Sequence, residues 1–245
     1  MVDVRGKWTL VTGASRGVGR QISLKMAELG SNIVVHSRNL SHTDDLVHEI
    51  EDFGVKVYAV EAELSDQTQV ASMLDRVDST VPGIDILFNN AGISTGYNQN
   101  LYGHSLEAFR ICYEVNMIAV ANICYRYLPD MLKRGFGRIV NTTSGIKDQP
   151  ELSAYAASKA SLDKFVRDFA PTLEGSGVMM NLMDPGWLRT DLGGSDAPNA
   201  VETVIPGAVV GALLDDGKSG RWISAQDYVG MSVATAVSKA EKYIK

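Results

Sequence analysis

The stretch that decides the fold is Leu10-Val11-Thr12-Gly13-Ala14-Ser15-Arg16-Gly17-Val18-Gly19, near the start of the chain. Apolar residues leading into Gly13 are typical of a buried strand, and the pattern over residues 17–29 predicts a helix. Gly13 permits a tight turn, and Gly17 and Gly19 let the backbone approach a pyrophosphate. Glycines alone are also typical of structural turns. The strand before them and the helix after them favour a dinucleotide site, because helix N-termini bind anions.

The end of the second predicted strand bears on which dinucleotide binds. Proteins selective for NAD commonly have an acidic residue there, which bonds the ribose hydroxyls. Here the sequence is His36-Ser37-Arg38-Asn39, without a carboxylate. The guanidinium of Arg38 can make a paired contact with a 2′-phosphate, and Arg16 in the glycine turn can contact the same group. Either arginine can simply be solvated. Because both stand where they can contact a 2′-phosphate, they favour NADP(H) over NAD(H).

Strand-like and helix-like segments alternate along the rest of the chain. This alternation predicts an α/β fold with a doubly wound parallel sheet and helices on both faces. No linker rich in proline or serine divides the chain, so we expect one domain over residues 1–245. Residues 186–216 break the rhythm, and we expect a loop-and-helix segment that covers the ligand-binding edge of the sheet. Strands are predicted at 7–12, 32–36, 55–60, 84–88, 138–143 and 178–183, and helices at 17–29, 43–53, 67–81, 105–134 (two helices) and 154–173.

The composition excludes several classes of function. A net charge of −6 argues against general nucleic-acid binding, which needs a basic face. No apolar run reaches the roughly 18 residues of a membrane span, and the N-terminus lacks the apolar region of a signal peptide. We therefore expect a cytoplasmic protein without a membrane partner, in which Cys112 and Cys124 are buried, reduced thiols. No metal site is expected, and surface or capping positions are expected for His36, His42, His48 and His104.

Tyr155 and Lys159 lie four residues apart in a predicted helix and so share one face. An ammonium about 4 Å from a phenolate stabilises it by up to roughly 4 kcal/mol at an effective dielectric of about 20, which predicts an acidified phenol. Ser144 lies a short loop upstream. Taken singly, such a pair is usually a pair of surface neighbours, and such a serine is usually a turn residue. Combined with the glycine turn, the three residues predict an acid/base site.

These residues belong to a longer series of motifs that resembles the short-chain dehydrogenase/reductase family. The motifs stand in the family's order, with near-family spacing, over nearly the whole chain. The resemblance implies a Rossmann-like parallel sheet of about seven strands, a bound nicotinamide dinucleotide, and a homodimer or homotetramer. The region around residues 185–194 is similar to a carbonyl-reductase branch. The motifs are Thr12-Gly13-x-x-x-Gly17-x-Gly19, Asn89-Asn90-Ala91-Gly92, Asn116, Ser144, Tyr155-x-x-x-Lys159 and Pro185-Gly186-x-x-x-Thr190.

The resemblance also implies roles for individual residues. Tyr155 would exchange a proton with the substrate oxygen, Ser144 would orient that oxygen, and Asn116 would hold a water beside Lys159. Tyr155 and Lys159 would also contact the cofactor. Glu63 departs from the aspartate that the family usually has at the adenine. The remaining cofactor residues would be Gly13, Ser15, Arg16, Val18 and Gly19 at the pyrophosphate and adenosine, Glu63 and Leu64 at the adenine, Asn90, Ala91 and Gly92 beyond the fourth strand, and Pro185, Gly186 and Thr190 at the nicotinamide.

The leading hypothesis from the sequence is an NADPH-dependent reductase of a ketone, aldehyde or 3-oxoacyl group. A first alternative is an alcohol or hydroxysteroid dehydrogenase that works oxidatively. A second alternative is a binding protein that senses NADP(H) without catalysis, because a fold does not determine a function. The sequence does not select a particular substrate.

Overall fold

The computed structural model describes residues 1–242, which form a seven-stranded sheet in the order β3-β2-β1-β4-β5-β6-β7. Every neighbouring pair of strands is parallel. The predicted α/β fold with a doubly wound parallel sheet is therefore confirmed. The strands are β1 (Trp8–Val11), β2 (Asn32–Ser37), β3 (Val57–Glu61), β4 (Ile86–Asn89), β5 (Gly137–Thr142), β6 (Val178–Asp184) and β7 (Trp222–Ser224).

Helices cover both faces of the sheet. Alternate strand residues point to opposite faces, so Leu10 packs in one apolar core and its neighbour Val11 in the other. Within residues 1–242, no helix combines the length and apolar character needed to cross a bilayer. The helices are α1 (Gly17–Glu28), α2 (Asp44–Glu51), α3 (Gln67–Thr80), α4 (Leu106–Tyr113), α5 (Ala119–Arg134), α6 (Ser153–Phe169), α7 (Gly207–Leu213) and α8 (Val233–Lys242).

The strand order reverses between β1 and β4. The chain leaves β1 toward β2 on one side, and it later returns to β4 on the other side. In doubly wound sheets, ligands bind in the crevice outside the carboxyl ends of the strands at such a switch point. Gly13 follows β1 and Asn90 follows β4, so two of the predicted cofactor motifs flank this crevice.

The last part of the 186–216 segment lies in the core instead of over the sheet edge. Every residue of α7 is buried, and the helix packs against β5, β6 and β7. A Cβ at Gly207 would lie 2.2 Å from the carbonyl oxygen of Ala225, so the packing there is close. The expectation that the whole segment covers the ligand site is therefore wrong for residues 207–213.

The predicted helix at 154–173 is too long by four residues. α6 ends at Phe169, and Ala170–Leu173 forms a separate turn of 3₁₀ helix with Pro171 near its start. Proline has no backbone N–H, so it is favoured in the first turn of a helix and disrupts the backbone hydrogen bonds of a helix interior. Pro171 thus explains where α6 stops.

His36 is buried at the end of β2, with only 2% of its surface exposed. The expectation of a surface or capping position is wrong for this histidine. Its Nδ1 accepts a hydrogen bond from the Gly13 backbone N–H at 3.2 Å, and its Nε2 lies 3.1 Å from the carbonyl oxygen of Ala62. Burial lowers the pKa of His36 to about 4, and the Ala62 bond and the charge of Glu63 only partly oppose this effect.

We expect His36 to make the fold acid-sensitive. An unfolded histidine titrates near 6.5, so its stabilising contribution is complete above pH 6.5 and is lost as pH falls toward 4. The loss in the free energy of unfolding that we expect from His36 is about 3 kcal/mol. Urea unfolding at pH 7 and pH 4.5 measures it. His36→Asn should lose less stability over this range than the wild type, whereas the exposed His42→Asn should behave as the wild type. Equal losses in all three proteins would contradict the assignment.

Candidate active site

Ser144 and Tyr155 meet at the carboxyl edge of the sheet. Ser144 follows the end of β5 by two residues, and Tyr155 lies in the first turn of α6. The Ser144 hydroxyl lies near enough to the phenol of Tyr155 to lower the pKa of that phenol. It also accepts a bond from the Ile146 backbone N–H at 3.3 Å, which fixes the loop between β5 and α6. The structure therefore brings together two hydroxyl groups that the sequence separates by a loop.

Lys159 is buried one helical turn beyond Tyr155. Its Nζ donates a hydrogen bond of 2.7 Å to the carbonyl oxygen of Thr142, the last residue of β5. Burial lowers the pKa of Lys159 to about 8, while the nearby Asp163 carboxylate and Cys112 act in the opposite direction. The lysine is therefore predominantly charged at neutral pH.

Burial also governs the acidity of Tyr155. It raises the pKa of the phenol above its usual 10, whereas the nearby Ser144 hydroxyl lowers this pKa and the charges of Asp184 and Cys112 raise it further. The predicted acidification by Lys159 is wrong for this structure. The Lys159 Nζ lies 6.0 Å from the centre of the Tyr155 ring. Burial of the phenol, and not the lysine charge, is the largest influence on the pKa of Tyr155. Tyr155 therefore holds its proton at neutral pH.

Asn116 lies in a turn of π-helix, Glu114–Ile118, which joins α4 to α5. Such turns are frequent at functional sites. Its side-chain oxygen accepts from the Ile93 N–H at 2.9 Å, and its side-chain nitrogen donates to the Ile93 carbonyl and the Ser158 hydroxyl, both at 2.9 Å. These bonds tie the segment after β4 to α6. A Cβ added to Gly92 would lie 3.3 Å from Lys159 Nζ and 3.4 Å from Asn116 Oδ1, so both polar atoms face Gly92.

The glycine turn is closely packed and leads into a helix without a side-chain cap. Gly13 has a positive φ of 64°, which favours glycine. A Cβ at Gly19 would lie 2.2 Å from the Gly13 carbonyl oxygen, so no larger residue fits there. Arg16 precedes α1 and makes no capping bond, which leaves the first backbone N–H groups of the helix for an anion. These features fit the pyrophosphate of a dinucleotide.

Thr12 joins the glycine turn to the segment after β4. Its hydroxyl accepts bonds from the N–H groups of Asn90 at 3.0 Å and Ala91 at 3.1 Å. The Asn90 amide in turn donates to the Thr12 carbonyl at 3.0 Å. Sequence analysis quoted Thr12 within a motif but gave it no role. Its part in joining the two sides of the crevice became visible only in the fold.

The segment after β6 lies against the glycine turn. A Cβ at Gly17 would lie 3.5 Å from the Thr190 methyl group, and Arg16 forms an exposed ion pair of 3.1 Å with Asp191. At the start of the segment, Pro185 accepts a bond of 2.9 Å from the side chain of Gln226. Thr190 therefore lies against the glycine turn. The contacts with the nicotinamide that the resemblance implies for Pro185, Gly186 and Thr190 stay predictions.

Asp184 was missed by sequence analysis. Its carboxylate accepts a bond of 3.0 Å from the Gly186 N–H. A Cβ added to Gly145 would lie 2.8 Å from the other carboxylate oxygen, so Asp184 packs the loop of Ser144 against the segment after β6. Burial raises the pKa of this carboxyl group, and Asp227 adds to the effect. The Asp-Pro-Gly sequence alone gave no signal of this contact, because Gly145 is distant along the chain.

The two residues expected at the adenine, Glu63 and Leu64, have different environments in the structure. Leu64 is buried, with 3% of its surface exposed. The Glu63 carboxylate accepts hydrogen bonds from the backbone N–H and the hydroxyl of Ser65, both at 3.1 Å. These bonds order the loop that contains both residues. Arg38 is exposed at the end of β2, and Ser15 and Val18 are partly exposed at the glycine turn.

Comparison with known proteins agrees with this geometry. A family model described as short chain dehydrogenase matches residues 7–200. An NADPH-dependent aldehyde reductase-like protein, chloroplastic, of Arabidopsis thaliana is 32% identical over 255 residues, which covers 92% of this chain and 93% of that protein. A 3-oxoacyl-(acyl-carrier-protein) reductase of Aquifex aeolicus is 31% identical over 194 residues, covering 78% of this chain and 77% of that protein.

Solved structures show the same relationship. A 3-oxoacyl-(acyl-carrier-protein) reductase of Agrobacterium tumefaciens with NADP bound is 25% identical, with a TM-score of 0.74 over 95% of this chain and 90% of that chain. A short-chain type dehydrogenase/reductase from Mycobacterium marinum is 27% identical, with a TM-score of 0.73 over 98% of this chain and 92% of that chain. On these matches and its Rossmann-like sheet, the chain belongs to the short-chain dehydrogenase/reductase family of oxidoreductases.

Proposed function

We propose that this protein reduces a carbonyl group, in a ketone, an aldehyde or a 3-oxoacyl compound, to an alcohol with NADPH. The observation that carries the proposal is the neighbouring pair of hydroxyl groups of Ser144 and Tyr155 beside the buried Lys159. This group lies at the same sheet edge as the uncapped start of α1. A dinucleotide on that helix end and a carbonyl oxygen at the hydroxyl pair would share one crevice.

The residues divide the work of the reduction. The bound cofactor supplies the hydride. Tyr155, which holds its proton at neutral pH, donates that proton to the carbonyl oxygen as negative charge develops there. Ser144 donates a hydrogen bond to the same oxygen and orients it. Lys159 places a positive charge beside the resulting phenolate, and Asn116 keeps the segment after β4 and α6 around the lysine in place.

The protonated state of Tyr155 is compatible with reduction. A general acid must carry its proton before the reaction, and the raised pKa of Tyr155 keeps the phenol protonated at neutral pH. The names of the two curated relatives, an aldehyde reductase-like protein and a 3-oxoacyl reductase, support the same direction.

NADP(H) is the proposed cofactor because of the charge at the end of β2. Arg38 is exposed there, and no acidic residue lies between Ser37 and Leu40. The relative named as NADPH-dependent and the Agrobacterium tumefaciens structure with NADP support this choice. Arg16 contributes less, because its guanidinium already pairs with Asp191.

Tyr155→Phe should fold and bind NADPH as the wild type does. It removes the proton donor, so we expect kcat to fall by about a hundredfold or more, the scale of general acid catalysis. Oxidation of NADPH in the presence of a panel of carbonyl compounds measures this. Tyr125→Phe, at an exposed tyrosine of α5, is the matched control and should keep full activity. Full activity in Tyr155→Phe would place the acid elsewhere.

The same assay on the wild type distinguishes the alternative functions. NADPH binding without turnover of any compound would favour the sensing protein, and NADP⁺-dependent oxidation of an alcohol alone would favour the dehydrogenase.

The pH dependence of kcat/KM should report Lys159. The lysine has a pKa of about 8 and is charged below it, so the rate of reduction should fall as pH rises through 8. The pKa of Tyr155 is raised above its ordinary value, so deprotonation of the tyrosine would lower the rate only at a higher pH. Lys164→Gln, at an exposed lysine on the same helix, should leave the profile unchanged. A constant kcat/KM from pH 7 to pH 10 would be inconsistent with this assignment.

Arg38→Ala should weaken NADPH binding and leave NADH binding unchanged. In the wild type, we expect NADPH to bind at least about tenfold more tightly than NADH, a difference of about 1.4 kcal/mol. The variant should narrow this ratio, because the arginine acts on the 2′-phosphate alone. Fluorescence titration measures all four affinities, and Lys56→Ala provides an exposed cation as control. Equal affinities in the wild type, or a preference for NADH, would refute the assignment of NADP(H).

A further inference from the structure

We propose that His36 is a positioning residue of the nucleotide site, which holds the glycine turn and the segment after β3 in one fixed arrangement. The inference rests on the proposed binding of NADP(H). It gives a role to a buried histidine that neither the catalytic chemistry nor the family's motifs use.

The partners of His36 determine its tautomer. The Gly13 backbone N–H can only donate, so Nδ1, 3.2 Å away, must accept and carry no proton. The Ala62 carbonyl oxygen can only accept, so Nε2, 3.1 Å away, must donate. A neutral ring with its proton on Nε2 is the form that satisfies both bonds. Both ring nitrogens are therefore committed, and the ring lies almost wholly out of water.

The bond to Gly13 fixes the turn from one side. The Ala14 N–H also bonds the backbone of His36, by 2.8 Å to its carbonyl oxygen. On the other side of the same turn, the Gly13 carbonyl oxygen accepts from the Asn90 side chain at 3.3 Å and faces Gly19. The N–H and the carbonyl oxygen of Gly13 are therefore both hydrogen-bonded. This fixes the turn that leads into α1, whose first N–H groups face the crevice.

The bond to Ala62 fixes the segment after β3, on the opposite side of the nucleotide site. Ala62 directly precedes Glu63 and Leu64, the residues expected at the adenine. The Ala62 N–H also bonds the Ser37 carbonyl at 3.1 Å, so this segment is tied twice to the end of β2. One imidazole ring thus links the two backbone segments between which the adenosine half of a dinucleotide would lie.

Two substitutions separate the two bonds. The side-chain amide of asparagine matches the place of Nδ1, so His36→Asn can keep the bond to Gly13 and lose that to Ala62. The amide of glutamine matches the place of Nε2, so His36→Gln can keep the bond to Ala62 and lose that to Gly13. Each variant loses one hydrogen bond, so a merely structural histidine would give both the same defect.

The readouts are the Kd for NADPH, the KM for NADPH and for a carbonyl substrate, and kcat at saturating NADPH. We expect His36→Gln, which releases the glycine turn at the pyrophosphate, to weaken NADPH binding about tenfold, the scale of one hydrogen bond. His36→Asn, which releases only the segment at the adenine, should weaken NADPH binding by a smaller factor. The KM for the carbonyl compound and kcat should not change. Equal NADPH affinities in the wild type and both variants, or equal losses in the two variants, would overturn the inference. A wild type that binds neither NADPH nor NADH would overturn the proposed function itself.

A measurement on the wild type keeps the inference testable if either variant fails to fold. Nitrogen NMR of the histidine rings distinguishes the two neutral tautomers. At pH 7, His36 should show the form protonated on Nε2, with its Nδ1 coupled by a hydrogen bond to the Gly13 amide. A spectrum that shows the proton on Nδ1, or a charged ring, would contradict the proposal.

Discussion

A charged ammonium group buried at the carboxyl edge of the sheet is the feature on which the rest of the site depends. Burying Lys159 costs free energy, and the cost is tolerable only because a backbone carbonyl and a nearby carboxylate compensate it. The carbonyl comes from the end of β5, and the carboxylate of Asp163 lies one turn further along α6. Asp163 also accepts a bond from the Thr143 hydroxyl, so the same acid holds α6 to the end of β5.

The parallel sheet makes this burial possible. Because all seven strands run in one direction, the loops after β1, β4, β5 and β6 converge on a single edge. Thr12 bonds the first two loops to each other, and Asp184 packs against Gly145 to join the last two. These cross-connections join residues far apart in sequence, and they turn four separate loops into one continuous site.

The parts of the site that depend on local geometry were predictable from the sequence. Tyr155 and Lys159 share a helix face because of helical periodicity alone, and Gly13 and Gly19 mark a turn that only glycine fits. The strands were predicted with small errors at their ends, because buried parallel strands are nearly continuous apolar runs. The resemblance implied about seven strands, but the residues alone did not indicate the position of the short strand β7.

Properties that arise from packing were not predictable in the same way. Helix geometry placed Lys159 beside Tyr155, but it gave no measure of how much water the fold removes from the phenol, and so the direction of its pKa was wrong. His36 looked like an exposed polar residue until the loops after β1 and β3 closed around it. The seven residues of α7 looked like part of a surface insertion, although their apolar composition suits a core helix.

The most direct measurement is a crystal structure of the protein with NADPH bound. The account predicts that the pyrophosphate lies on the start of α1 and that the nicotinamide C4 faces the hydroxyl groups of Ser144 and Tyr155, leaving room for one carbonyl oxygen between them. A nicotinamide ring outside this crevice, or a Tyr155 hydroxyl turned away from C4, would contradict it.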